Sequence, residues 1–283
     1  MMKKVYIIVP VFKRENLTEN FIESILSQSL SFDIEFIIVD DDHELYGNYE
    51  RFAKEKKVTC IKTHGNAWWC GTVRQGIDYF YSKVEFGSDD IVVIANNDVT
   101  VPQGELSKII ENVGCNEICH PQTFTNRNVE ISSGAKVITW FPFITKHPKF
   151  GRASLDKIPI DLCTARFMCM HATTLSKVGN ISNNLLQYQG DYDFSLIAKS
   201  KGITINIIKG AYCQVYDDDT GLKSENITSF SQFLSSFYEI RSSNNLKYRW
   251  RFVRNHFSFL SSVFIIFSMV SNIVARYVVK RFK

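Results

Sequence analysis

At 283 residues, with 45% hydrophobic and 22% charged residues, the chain is long enough to bury a core without disulfides or structural metals, and its composition excludes disordered and low-complexity classes. The net charge of +4 is unevenly placed: residues 246–283 hold Lys247, Arg249, Arg251, Arg254, Arg276, Lys280, Arg281 and Lys283 and no acid, so residues 1–245 carry more acids than bases. Such a tail calls for an anionic partner, with nucleic acid and membrane as the two candidates.

Val5 to Val9 is a continuous run of β-branched and aromatic residues, the pattern of a strand covered on both faces of a parallel sheet. Pro10, Lys13 and Arg14 cut it too short for a signal-peptide core, so the chain is expected to stay in the cytoplasm. Leu17, Phe21, Ile22, Ile25 and Leu26 recur at helical spacing, and Asn16 with Glu19 predicts a capping box at the start of that helix. Phe36 to Val39 and Val58 to Ile61 read as further strands. A helix over about 71–82 then leads to a fourth strand at Ile91 to Ala95. The alternation predicts an α/β fold built on an open, mostly parallel Rossmann-like sheet with flanking helices, in which ligands sit at the carboxyl ends of the strands.

Residues 115–170 are irregular, with strand-like pieces at Val129 to Ser132 and Val137 to Trp140, Pro-broken loops and a Cys-rich apolar piece at Leu162 to Met170. Asp191 to Lys201 predicts a short helix ending at Gly202, with Asp191 and Asp193 in its first turn. Ile203 to Ile208 and Ala211 to Tyr216 read as two strands. A boundary is expected near 235, giving a domain over 1–235 and a basic helical region over 236–283. The seven cysteines are scattered and odd in number, which fits reduced thiols better than a disulfide framework.

No phosphate-binding Gly-x-x-x-x-Gly-Lys-Ser/Thr loop, Gly-x-Gly-x-x-Gly turn, Gly-x-Ser-x-Gly elbow or Cys-x-x-Cys pair is present. Carboxylates remain. Asp40 to Asp42 and Asp98 end predicted strands, and Asp191 and Asp193 begin a helix. A hard cation such as Mg²⁺ or Mn²⁺ takes one or two protein carboxylates together with substrate phosphates and water, which Asp98 fits. A turn made by Asn96, Asn97 and Asp98, and a helix cap made by Asp191, are the plainer readings of the same residues. Trp68 and Trp69 suit stacking on a ligand or burial in the core. Arg166, in an otherwise apolar stretch, suits a diphosphate or a structural ion pair.

In order along the chain, Ile7-Ile8-Val9-Pro10-Val11-Phe12-Lys13-Arg14, Ile37-Ile38-Val39-Asp40-Asp41, Gly65-Asn66-Ala67-Trp68-Trp69-Cys70-Gly71, Ala95-Asn96-Asn97-Asp98 and Gly190-Asp191-Tyr192-Asp193-Phe194-Ser195-Leu196 resemble the family-2 glycosyltransferases of bacteria, which have the GT-A fold. The resemblance covers about residues 3–220, and the Trp-Trp and Asp-Tyr-Asp-Phe forms look like the branch that includes rhamnosyltransferases and other surface-polysaccharide enzymes. It implies that Pro10, Val11, Phe12 and Arg14 line the base and ribose pocket, that Asp40, with Asp41 beside it, accepts a hydrogen bond from the base, and that Asn66 helps hold the nucleotide or sugar. It also implies that Asn96, Asn97 and Asp98 stand at the family's metal position, with Asp98 on the ion, and that Asp191 is the general base, with Asp193 a structural or acceptor-binding acid. Two departures stand out: the family usually has Glu before that base, here Gly190, and often a His after the last strand, where this chain reads Tyr212 to Asp219.

The implied activity is inverting, metal-dependent transfer of a sugar from a UDP- or dTDP-linked donor to a glycan or lipid-diphosphate-linked acceptor. One carboxylate takes the acceptor's proton while a cation carries the charge of the departing diphosphate. With the ordinary aspartate pKa of about 3.9, the base needs no special tuning. A nucleotidyltransferase is disfavoured because no Gly-rich, Lys/Arg-bearing loop follows the first strand. A non-enzymatic membrane- or nucleic-acid-binding protein leaves the ordered carboxylates unexplained. Phe257 to Ala275 carries no formal charge and projects Phe259, Val263, Phe264, Ile266, Phe267, Val270, Ile273, Val274 and Tyr277 to one side, with most of the serines opposite. This predicts an amphipathic surface helix with basic flanks, docked on the inner face of an anionic membrane rather than on nucleic acid, or else a homodimer contact.

Overall fold

Strand β1 (Lys4–Val11) is buried from Val5 onward, and its alternate residues serve two cores. Val5, Ile7 and Val9 pack with Phe21, Ile22 and Ile25 of helix α1 (Glu15–Leu26). Tyr6 and Ile8 pack with Cys70, Val73, Ile77 and Phe80 of α2 (Trp68–Lys83). That two-sided burial is why the run lacks the polar alternation of a one-faced strand. This computed structural model describes residues 3–42, 58–152, 154–216, 227 and 229–281.

β1 lies between β2 (Asp33–Asp40) and β4 (Ile91–Ala95), parallel to both, and β3 (Val58–Lys62) continues the parallel set beyond β2. On the far side of β4 the direction changes. β12 (Phe167–His171) runs antiparallel to both β4 and β6 (Glu117–Thr125), and β13 (Thr204–Val215) is parallel to β6, with β10 (Asp156–Pro159) at its edge. β5 (Val99–Thr100) pairs with β13, and β7 (Glu130–Ile131) with β6. A separate small sheet joins β8 (Gly134–Trp140), β9 (Phe143–Lys146) and β11 (Leu162–Cys163). Helices α3 (Glu105–Glu111), α4 (Ala172–Val178) and α5 (Gly190–Ser200) complete the sheet region. The expected α/β open sheet is the fold of the chain.

Three local expectations change. The Asn16–Glu19 capping box is not formed: Lys13 turns the chain through a left-handed φ of 46°, and α1 begins at Glu15 with Arg14 as its uncapped N-cap. The two strands expected over 203–216 are one, β13, whose register shifts between Ile208 and Tyr212. α2 begins at Trp68 rather than near 71. Asp217 to Asp219, where the family often has a His, lie outside the described residues.

Beyond the sheet follow α6 (Phe230–Ser235), α7 (Leu246–His256) and α8 (Phe259–Arg281). Asn245 caps α7 by accepting a hydrogen bond from Tyr248 N at 3.2 Å. Tyr248, Phe252 and Val253 are buried in the same cluster as Cys70 and Phe194, so α7 is rooted in the core of the sheet region. α8 turns one mixed side inward. Ser262, Ile265, Ser268 and Met269 are buried, and Ser268 Oγ accepts a hydrogen bond from Phe143 N at 2.9 Å. Leu260, Val263, Phe264, Phe267, Val274 and Val278 face solvent, with Phe267 72% exposed. Phe141, on the turn between β8 and β9, adds its exposed ring to that face, 5.4 Å from Phe264. By length and composition α8 is long and apolar enough to cross a membrane, although some of it is buried against the protein.

Candidate active site

At the end of β2, two adjacent aspartates do different work. The Asp41 carboxylate accepts hydrogen bonds from Ala67 N (3.0 Å), Trp68 N (2.9 Å) and the Thr63 hydroxyl. It thereby pins a loop in which Gly65, Asn66 and Trp68 have φ of 75°, 63° and 57°. A tryptophan in the left-handed region is strained, and such strain persists only where surrounding bonds enforce it. Asp41 therefore shapes the loop that leads into α2. Asp40 accepts one hydrogen bond, from Asp42 N at 2.8 Å, while its Oδ2 is buried without a hydrogen-bond partner among the described residues. Burial pushes its pKa up, Asp42 and Asp41 add to the rise, and the Asp42 N–H opposes it. An orphaned buried oxygen costs about 1–3 kcal/mol, a penalty that a donor group on a ligand would remove.

Pro10 and Val11 are buried in β1, so the side chains this segment offers to a ligand are those of Phe12, 45% exposed, and Arg14. At the end of β4, Asn97 Nδ2 donates to Thr18 Oγ1 at 2.9 Å, which locks the strand end to α1. Asn96 Oδ1 accepts a hydrogen bond from Trp69 Nε1 at 2.9 Å, and Asn96 N donates to Arg166 O at 3.1 Å. The Asp98 carboxylate lies 3.6 Å from Arg14 Nη1. Among the described residues no three His, Cys, Asp or Glu side chains gather around one point. The chain thus offers a hard cation one carboxylate, with the rest of its coordination left to water and to phosphate oxygens. This donor set suits Mg²⁺ or Mn²⁺ arriving with a nucleotide.

Asp191 stands in the first turn of α5, half-buried, its Oδ1 accepting a hydrogen bond from Tyr192 N at 2.9 Å. Burial pushes its pKa up to about 6, against the pull of the Tyr192 N–H and the Arg166 guanidinium. The ordinary aspartate pKa expected from the sequence is thus raised at this position. Arg166 donates from Nη1 to Ser132 O at 2.6 Å, which holds the guanidinium near Asp191. Asp193, two residues on, turns into the protein: it is fully buried and accepts hydrogen bonds from Asn255 Nδ2 and His256 Nε2, both at 2.8 Å, and from the Ser182 hydroxyl. This carboxylate ties α5 to α7.

Trp69 joins the two halves of the site. Its backbone N donates to Gln187 Oε1 at 3.1 Å, its indole bonds Asn96, and its ring lies 3.3 Å from where a Cβ on residue 190 would stand. That same Cβ would be 2.5 Å from Cys70 Sγ, so Gly190 is the residue that lets α5 close on α2. This explains why glycine precedes Asp191: Cys70 and Trp69 fill the space a larger side chain needs. Gly190→Ala is expected to lose about 1–3 kcal/mol of stability by overpacking, and Cys70→Ala in the same chain to restore most of it. Urea unfolding of the two single variants and the double measures this, and an unchanged Gly190→Ala midpoint would contradict it.

The structure thus brings Phe12, Arg14, Asp40, Trp69, Asn96, Asp98, Arg166 and Asp191 to the carboxyl ends of β1, β2 and β4 and the start of α5. Asn66 is exposed on the loop between β3 and α2. Gln187, Ser132 and the α7 pair Asn255 and His256 had no signal in the sequence, because each acts through a contact far away along the chain.

The family model for Glycosyl transferase family 2 matches residues 6–175. No curated protein matches the sequence. Among solved structures, GalNAc-T7 with UDP, GalNAc and Mn²⁺ aligns over 81% of this chain and 46% of its own, at 10% identity and a TM-score of 0.61. The mannosyltransferase PcManGT from Pyrobaculum calidifontis, in complex with GDP-Man and Mn²⁺, aligns over 95% and 69%, at 11% identity and a TM-score of 0.56. TarS of S. aureus aligns over 90% and 44%, at 12% identity and a TM-score of 0.54. At these identities the likeness is one of fold, and the chain spans less than half the length of the first and third of these proteins.

Proposed function

Because the chain belongs to glycosyl transferase family 2 and has a GT-A fold, we propose that it transfers a sugar from a nucleoside diphosphate to an acceptor hydroxyl with inversion, with Asp191 as the base. The observation that carries this reading is the Trp69 bridge, which fixes the strand end bearing Asp98 to the helix start bearing Asp191. In one step the acceptor oxygen bonds to the anomeric carbon, its proton passes to Asp191, and the bond from that carbon to the diphosphate oxygen breaks, the electron pair leaving with the diphosphate. Asp98 would hold a divalent cation, which would supply charge stabilisation for the leaving group. Phe12 packs against the base, Asp40 Oδ2 accepts a hydrogen bond from it, and Arg14 and Arg166 face the phosphates. The Mn²⁺ and nucleotides of the GalNAc-T7 and PcManGT structures support a metal-dependent donor site.

The pH profile tests the base. Only ionised Asp191 accepts a proton, so kcat/KM should rise tenfold per pH unit below about pH 6 and level off above it. A profile still flat down to pH 4.5 would remove Asp191 from the role.

We place the donor among UDP- or dTDP-sugars, of hexosyl or rhamnosyl type, and the acceptor on a glycan or lipid-diphosphate-linked glycan of bacterial surface-polysaccharide synthesis. In this reading residues 1–235 carry the chemistry, and residues 236–283 seat the enzyme peripherally on the cytoplasmic face of the membrane. The exposed stripe of α8 with Phe141, flanked by Lys280, Arg281 and Arg254, supports that seat. The wild-type chain is expected to float with phosphatidylglycerol-rich vesicles, and Phe264→Ser combined with Phe267→Ser to remain in solution. Absence of flotation, with a concentration-dependent dimer broken by the same substitutions, would instead assign the stripe to a second copy of the chain.

A further inference from the structure

The loop between α6 and α7 brings one more cation to the donor cleft. The Arg241 guanidinium lies 5.9 Å from the centre of the Phe12 ring and 5.7 Å from that of Trp68, so it bridges the end of β1 and the start of α2 from above. Its loop is tied down on every side. Tyr188 Oη donates to Arg241 O at 3.3 Å, Asn245 Nδ2 donates to the carbonyls of Tyr238 and Glu239 at 2.9 and 3.0 Å, and Leu246 N donates to Phe237 O at 2.9 Å. Ser242 and Asn244 beneath it are buried. Tyr188 sits just ahead of α5, so the loop touches the residue after β1, the start of α2 and the approach to α5.

Charge decides what this cation is for. Asp40, Asp98 and Asp191 put three carboxyl groups at a site read here as taking an anionic ligand, and such a site needs countercharge. Arg14 lies against Asp98 and Arg166 on the Asp191 side. Arg241 is exposed and, among the described residues, forms no ion pair. A guanidinium stacked on aromatic rings keeps its edge N–H groups free, and that fork matches phosphate oxygens.

We propose that Arg241 is a donor-binding residue whose guanidinium, held between Phe12 and Trp68, grips the diphosphate of the nucleoside diphosphate. The proposal rests on the reading of the cleft as a nucleoside-diphosphate site. It assigns the region beyond residue 235 a part in donor binding as well as in seating.

Calorimetry with Mn²⁺ tests it on the full chain. UDP, dTDP and GDP are titrated into wild type, the tightest is chosen, and its monophosphate is titrated beside it. Arg241→Ala should raise the Kd of the diphosphate about tenfold and shrink the preference for diphosphate over monophosphate, with Arg241→Lys between the two. Arg241 is exposed, and unchanged thermal unfolding of both variants confirms that the loop is intact. Wild-type binding that Arg241→Ala leaves untouched would overturn the inference while leaving the donor site standing. Equal losses for diphosphate and monophosphate would also overturn it, by moving the contact to the base or ribose. If wild type binds no nucleoside diphosphate, the donor-site reading fails and the inference fails with it.

Discussion

Asp191→Asn should lower kcat by about 10² to 10⁴ while leaving the Kd of the donor nucleotide close to wild type. The amide keeps the shape of the carboxylate and its hydrogen bond from Tyr192 N, but it cannot take the acceptor's proton. The same change should not unfold the protein. A folded-state pKa raised from 3.8 to about 6 means that the stability present below pH 3.8 is lost as pH rises through about 6, because ionising a half-buried carboxylate is unfavourable. At pH 7 the asparagine variant should therefore melt at or above the wild-type temperature. Lost turnover with retained nucleotide binding and undiminished stability is a combination that a merely structural aspartate does not give. A variant that turns over normally would remove Asp191 from the mechanism.

The second large effect is expected at Asp98. If its carboxylate and the phosphates together hold the cation, Asp98→Ala loses several kcal/mol of charge stabilisation in the transition state, roughly a thousandfold in kcat or more. Arg14 faces that carboxylate at 3.6 Å, so the substitution also frees a guanidinium beside the phosphates. Nucleotide binding without metal should then persist in the variant, while Mn²⁺ adds nothing to it. Steady-state turnover and titrations with and without Mn²⁺ check the two halves separately. Asp98→Ala with wild-type turnover would place the metal elsewhere.

How far the sequence could be read depended on where each signal lies. β1, β2 and β4 were legible because strands buried on both faces read as unbroken apolar runs. The insertion of β12 antiparallel between β4 and β6, and the small sheet of β8, β9 and β11, left no local pattern, because both depend on pairings between distant segments. Among the site residues, the order of motifs located the strand ends but not the job of each carboxylate. Asp40 ends β2 and Asp41 follows it in a bend, one with an orphaned oxygen and one capping the Trp68 loop. Asp191 and Asp193 are two residues apart on a helix, about 200° around its axis, which sends one to the cleft and the other to Asn255 and His256. Gly190 looked like a lost carboxylate until Cys70 and Trp69 were seen to fill its space. The tail's amphipathic pattern was visible, but which side met the protein was not: Ser262 and Ser268 face inward with Ile265 and Met269, and Ser268 answers the Phe143 N–H.

The most direct test of the account is titration of UDP, dTDP and GDP into the wild-type chain, first with Mn²⁺ and then with chelator. A cleft that offers one carboxylate and relies on phosphate oxygens for the rest of the metal's coordination should bind at least one of these diphosphates, and should bind it more tightly with Mn²⁺ than with chelator. Binding of none of the three under either condition would contradict the donor site on which the proposed transfer depends.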